Sequence, residues 1–516
     1  MNLARDVLVI LPELVLVGAA LLLLLLISVI RRRMPRPIAS ITILGLVMAV
    51  ATAVLLRVFY SDGSLIHGFA GDPLREEMTS LLVLDDFAIF FHVVISVGAL
   101  LCVALALEYL ERENLTARFG EFCILLLLSA VGGMVLVSAS DLVTIFLGIE
   151  ILSLSLYVLT GYAAVRSHPI EAAVKYLILG ALASGFLIYG IAFVYGATGV
   201  TNLTGIASSI RTGQVTEHAF LTVGLVLILV GLGFKIALVP FHQWAPDVYD
   251  GALTPVSAFM TTVPKIAAVG ALFRLLHDAF PTMSVDWGSA LVVLAVLTMT
   301  IGNIAAVGQR TVKRMLAYSS VAHAGYMLVG LLAIRHVSAS SDAASALLFY
   351  GLAYTLMTIG AFGVVGLLDK RDGVPVTLEE CSGLAVRHPW LALSTVVFMI
   401  SLTGIPLTIG FVGKMMLFKA AVHAGLIGLV VVALLNSVVS AFYYLRVVVQ
   451  MWMRPASEVT ARPSNSLIAK VTLGVCAGLV LLLGMAPELV LNFCESAARD
   501  FAEGASVGSK VWFVGR

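Results

Sequence analysis

Apolar residues run along this chain in blocks rather than in the alternating or one-sided patterns of soluble elements. Fourteen blocks are long enough to span a membrane, near 8–30, 38–59, 87–107, 122–139, 142–163, 170–196, 219–240, 253–275, 287–308, 314–334, 342–368, 389–423, 425–450 and 467–493. Because a bilayer core takes about 20 residues of helix, the pattern predicts an all-α polytopic fold of fourteen transmembrane helices. Two blocks are too long for one straight span. From Ala219 to Gly251 the chain runs 33 residues through Pro240, and 389–423 contains Pro406. Proline withholds a backbone donor and clashes with the preceding turn, so each block is expected to be a broken helix.

Composition agrees. Of 516 residues, 60% are hydrophobic and 12% charged, about half the charge of a soluble domain. The net charge of +1 gives no reason to expect nucleic acid as a partner; the bilayer is the expected one. Cys102, Cys123, Cys381, Cys476 and Cys494 are scattered, without metal-ligand spacing. No phosphate-binding glycine motif occurs. The first block is too long for a signal-peptide core and is read as a retained span.

Loop charge orients the chain, since basic loops stay inside. Taking the side that follows the first span as inside, those loops hold 15 Lys/Arg: Arg31, Arg32, Arg33, Arg36, Arg112, Arg118, Arg166, Arg310, Lys313, Arg314, Lys370, Arg371, Arg387, Arg454 and Arg462. The opposite loops hold Arg75, Arg211 and Arg335. Fourteen spans then place both termini outside. The long outer segment 60–86 is acid-rich, with Asp72, Glu76, Glu77, Asp85 and Asp86.

A weak repeat joins the two broken blocks. VSAF recurs at 256–259 and 439–442, and Gly233-Phe234 answers Gly410-Phe411. The offset pairs span seven with twelve and eight with thirteen. A five-helix period inverts the second copy, and inverted repeats with one broken helix each are a mark of secondary transporters. The expected organisation is a three-helix segment 1–121, half-channels at 122–275 and 287–450, and a C-terminal helix and tail at 451–516.

Five ionisable residues fall inside apolar blocks at helical depth: Glu150, Lys175, Lys235, Lys265 and Lys414. Such residues are expensive in lipid and mark functional sites. Lys175, five residues into its span, could instead reach the surface or pair with Glu171. Lys414 could snorkel too. Glu150 and Lys265 lie too deep for that escape. The functional reading is a proton path, in which Glu150 and Lys235 form an ion pair and further lysines continue the row. Histidine suits a linking role. His323 is placed to bridge Lys265 towards Lys414, and His242 follows the first break; an ordinary hydrogen-bonding histidine explains each equally well. His92 is read as structural, and Glu13 and Glu488 as caps or partner contacts.

These residues carry a resemblance. GFKIALVPFHQWAPDVYDGALTPV, GIEILSLSLYVLTGY, EAAVKYLILGALASG and KRMLAYSSVAHAGYML are similar to the antiporter-like membrane subunits of respiratory complex I (NADH-quinone oxidoreductase), and within them to the subunit N branch. The resemblance covers essentially the whole chain. It implies two inverted five-helix bundles in fourteen helices. By the same likeness Glu150, Lys175, Lys235, Lys265 and Lys414 are the family's charge row, and the sister subunit M carries glutamate where Lys414 stands. No redox cofactor is implied in this chain; NAD, FMN, iron-sulfur clusters and quinone would belong to partner subunits. The implied partners are subunit M and small subunits such as K, in the bacterial inner membrane. Leu253 departs from the usual proline and touches no charged site. A subunit of a multi-subunit cation/proton antiporter is the alternative with the same fold and row. A passive membrane scaffold would not need five buried charges.

Overall fold

The computed structural model describes residues 7–29, 35–60, 81–163, 167–335, 340–370, 374–456 and 460–510. Arg5, Arg31, Arg32, Arg33, Arg75, Arg166, Arg371 and Arg516, and the acidic Asp72, Glu76 and Glu77, lie outside them. In order, the helices are α1 (Leu11–Val29), α2 (Pro35–Tyr60), α3 (Asp86–Arg112), α4 (Phe119–Ser138), α5 (Leu142–Thr160), α6 (Ser167–Thr198), α7 (Leu203–Thr212), α8 (His218–Ile236), α9 (Trp244–Gly251) and α10 (Thr254–Asp278). They continue with α11 (Ser284–Val307), α12 (Val312–Leu331), α13 (Ser340–Leu368), α14 (Leu384–Arg387), α15 (Pro389–Thr403), α16 (Ile409–His423), α17 (Ile427–Met453), α18 (Leu467–Met485) and α19 (Glu488–Lys510).

Thirteen helical stretches among the described residues are long and apolar enough to cross a membrane. The fourteenth expected span, 389–423, is two half-helices of 15 residues, α15 and α16. They meet at Gly404–Thr408, around Pro406. The other broken block stops at Ile236, earlier than its proline. Ala237 takes a left-handed conformation, φ 64°, and caps α8 by donating to Phe234 O. The chain then re-forms as the eight-residue α9.

Helix ends divide into two faces. The turns bearing Arg118, Arg310, Lys370 and Arg454 share one end, the basic face, where Tyr162 donates to Arg118 O and Leu378 N to Arg310 O at 2.9 Å. At the opposite end Leu82 pairs with Ala139, and Asp141 with Asn202.

The centre is formed by α10, α12 and α13, buried along nearly their whole length. They are the least apolar of the spans and carry buried polar groups such as Lys265, Arg274 and His323, which lipid would not solvate, so they sit inside. Small residues let the surrounding helices approach. A Cβ on Gly132 of α4 would stand 2.4 Å from Leu152 N, and one on Gly148 of α5 would stand 2.9 Å from the Leu136 backbone. That contact fixes the helix carrying Glu150.

One boundary differs from the sequence expectation. Block 467–493 is not one span: α18 ends at Met485, and Pro487 starts a separate helix. Phe493 of α19 receives the Arg57 guanidinium at 3.7 Å from its ring centre. Phe501 packs its ring, tilted, against Phe87 and His277. The helix thus folds back over the ends of α2, α3 and α10.

Candidate functional site

The first break ends α8 with a lysine. Lys235 is in its last turn, 3% exposed. Cations are favoured at a helix C-terminus by the aligned backbone dipoles. Its ammonium donates to Ser153 Oγ at 2.9 Å and to Tyr176 Oη at 2.8 Å. Glu150 lies one turn before Ser153 on α5 and accepts from Ser184 of α6. The expected ion pair is therefore not a direct contact. Among the described residues no salt bridge joins the two; Lys235 bonds Ser153, on the next turn of the Glu150 helix, whose hydroxyl donates to Ile149 O at 2.5 Å.

Lys175 shares α6 with Tyr176 but leaves in another direction. Its side chain is 42% exposed and pairs with Glu171 at 2.7 Å and with Asp247 at 3.1 Å. Asp247, on α9, also accepts from Arg314 of α12 at 2.8 Å. The structure thus sets Lys175 at the basic face, apart from the buried ammonium groups. The sequence row of five divides into three buried lysines, a half-buried Glu150 and one surface lysine.

Lys265 follows Pro264 inside α10 and is fully buried. It donates to Ser320 O at 2.5 Å and to Ser320 Oγ at 3.1 Å. Three residues on, on the same side of α12, is His323. Its Nδ1 is 2.6 Å from Tyr350 Oη and its Nε2 3.0 Å from Tyr444 Oη. The next turn brings Tyr326, whose ring lies under the Lys414 ammonium at 4.7 Å. Ser320, His323 and Tyr326 thus form one ridge between Lys265 and Lys414, spaced ~4.5 Å per step along the axis.

Lys414 does not snorkel. It is 4% exposed, and its ammonium donates to Leu402 O at 3.0 Å, Thr403 O at 2.9 Å and Ser437 Oγ at 3.1 Å. The two carbonyls end α15, where no continuing helix claims them. Lys235 and Lys414 both sit beside a helix interruption, but only Lys414 is held by carbonyls that the interruption frees; Lys235 is held by hydroxyls of α5 and α6. His242 lies in the first break with Nδ1 buried and without a partner; it joins neither ridge.

Sequence reading missed the neutral members, Ser153, Tyr176, Ser184, Ser320, Tyr350, Tyr444 and Ser437. Their only signal was hydroxyls on apolar helices. It also set aside Glu13 and His92, which meet at 3.5 Å with Ser138 at 2.9 Å, buried near the opposite face. Glu13 is thus neither a simple cap nor exposed to a partner.

A polytopic bundle with two interrupted helices, each gripping a buried lysine, and a histidine ridge between further lysines, defines the antiporter-like class of membrane proteins. The chain belongs to the family described as NADH:quinone oxidoreductase/Mrp antiporter, whose pattern matches residues 139–440. It is 41% identical over 491 residues to NADH-quinone oxidoreductase subunit N of Trichlorobacter lovleyi, covering 95% of this chain and 96% of that one. It is also 41% identical to subunit N of Myxococcus xanthus, over 84% and 88% of the two chains. Among solved structures, a chain of respiratory complex I from Thermus thermophilus superposes with TM-score 0.76 at 36% identity, over 93% of this chain and 98% of that one. A chain of the Mrp complex from Dietzia gives TM-score 0.80 at 24% identity, over 99% of each, and shares the fold.

Proposed function

We propose that the chain is the subunit N type of proton-translocating membrane subunit in an NADH-quinone oxidoreductase. It would carry no redox centre, and electron transfer in partner subunits would drive it. NAD, FMN, iron-sulfur clusters and quinone belong, on this reading, to those partners. Subunit M and small subunits such as K are its proposed neighbours in the bacterial plasma membrane. Basic loops face the cytoplasm and both termini the periplasm. Residues 122–275 and 287–450 are taken as the two half-channels.

The observation that carries the reading is the half-buried Glu150 with Ser153 and the buried Lys235 and Lys265 in the first half, continued by the buried Ser320, His323, Tyr326 and Lys414 in the second. Single buried ammonium groups cost several kcal/mol each, and the described residues include four, Lys235, Lys265, Lys313 and Lys414, with hydroxyl and carbonyl partners instead of carboxylates. Such groups change charge readily when the local field changes. A proton arriving near Glu150 would weaken its hold on Lys235 through Ser153, and the displaced charge would be passed to the lysine row. Lys175, at the surface, is proposed to fix α9 or admit protons.

The test is proton pumping by the assembled complex in vesicles. Glu150→Gln and Lys235→Ala should each assemble and lose coupled pumping by about tenfold or more, the lower range for removal of a proton-transfer group. Near-normal pumping in both overturns the reading. The Mrp-like fold keeps a second reading, a cation/proton antiporter subunit. It predicts sodium-dependent proton exchange without quinone reduction.

A further inference from the structure

At the basic face lies a cluster that the row above does not use. Asp369 follows the last residue of α13 and is 5% exposed. Its Oδ2 accepts from Thr254 and, at 3.3 Å, from Tyr109. Its Oδ1 has no partner. Burial pushes the carboxyl up from the usual range, while Lys313 and Arg112 pull it back. The Tyr249 hydroxyl, fully buried, is also unpartnered, as is Asp250 Oδ1. Buried oxygens with no donor call for water when there is room. Beside Asp369 there is room: a cavity of about 810 Å³, lined by Glu108, Arg112, Asp369, Lys370 and Arg462 among others, opens on the basic face with Asp369 in its wall.

Beyond Asp369 the polar surface continues along α10. Thr254, Ser257, Thr261 and Lys265 are spaced 3, 4 and 4 residues apart, so they share one side of the helix in steps of ~4.5–6 Å. Ser257 bonds the Tyr249 carbonyl at 2.6 Å, and Tyr354 bonds the Thr261 carbonyl at 2.9 Å. Steps of this length are bridged by single waters.

We propose that Asp369 and the hydroxyl side of α10 form a proton inlet from the basic face, by way of Thr254, Ser257 and Thr261, to Lys265. Asp369 is the first acceptor. It takes a proton from water in the cavity and returns it to water beside Thr254, and Lys265 receives the proton at the far end. This rests on the relay reading of Lys265.

The experiment uses the assembled complex in vesicles of both orientations. Thr254→Cys is exposed to 2-aminoethyl methanethiosulfonate, and modification is read as a mass shift of this chain, whose own cysteines are buried among helices. Modification from the basic-face side alone is expected; none, or modification mainly from the opposite side, overturns the inlet. Asp369→Asn and Thr261→Val should each cut pumping about tenfold or more, and Asp369→Glu should restore most of it. Should Asp369→Asn not assemble, side-specific labelling still decides. Normal pumping in assembled Asp369→Asn also overturns the proposal. Lys265→Met separates the two ideas: if it pumps normally while Thr254→Cys labels from the basic face, the relay reading fails and a water-filled inlet remains.

Discussion

Lys414 is held by three oxygens that a methionine cannot bond. Lys414→Met leaves the Leu402 carbonyl and Ser437 Oγ without their donor, and Thr403 O with only the Ser437 hydroxyl, so it is no mere apolar exchange of similar length. The complex should assemble, with pumping reduced about tenfold or more, measured as vesicle acidification per quinone reduced. Full activity would make the lysine an anchor. His323 offers a graded case, because two tyrosines hold it. His323→Ala should lose most pumping, whereas Tyr444→Phe removes one of its two bonds and should lose less. Equal effects would argue that the ring only packs. At this scale the charged members were legible in the sequence, because charge in an apolar block is conspicuous. Their hydroxyl partners were not, since serine and tyrosine occur in such helices for many reasons. The direction of a side chain was hidden too: Lys175 and Tyr176 are neighbours in sequence, yet one faces water and the other Lys235.

At the scale of elements, prolines announced both interruptions but not their form. Ala237 shows why. A left-handed alanine costs about 1–2 kcal/mol and carries no sequence signature. Ala237→Gly should therefore be neutral or raise thermal stability slightly, read as the melting temperature of the purified complex. Gly410 has the opposite prospect. A Cβ there would stand 2.0 Å from the Ser401 carbonyl oxygen, where the start of α16 crosses α15. Gly410→Ala should prevent assembly or abolish the folded break, detected as loss of the intact complex on a native gel. Normal assembly would mean that the two half-helices can part. Block 467–493 was read as one element because apolar composition runs past Pro487; only the packing of α19 on α2 and α3 exposes the turn.

For the whole molecule, the face opposite the basic one is closed by Arg274. It makes two bonds of 2.8 Å to Asp85 and one of 3.0 Å to Val137 O. Removing one member of a buried pair costs about 3–5 kcal/mol. Arg274→Met should lower thermal stability markedly while pumping per assembled complex stays near normal; lost pumping at full stability would assign it a transport role. The all-helical architecture was readable from block lengths alone, because a bilayer fixes the length of what crosses it. How fourteen spans pack was not, since helix–helix contact is set by small residues such as Gly132 and Gly148.

The short helix created by the first break has a mechanical consequence. Asp247 on α9 is gripped from one side by Lys175 of α6 and from the other by Arg314 of α12. One carboxylate therefore couples the two halves of the bundle like a shared latch. All three side chains are a third or more exposed, and surface pairs are worth about 0–1 kcal/mol each. A latch that weak opens under thermal agitation, so α9 can release either partner while the buried Lys265–Ser320 contact still ties the halves together, and added salt will loosen it further.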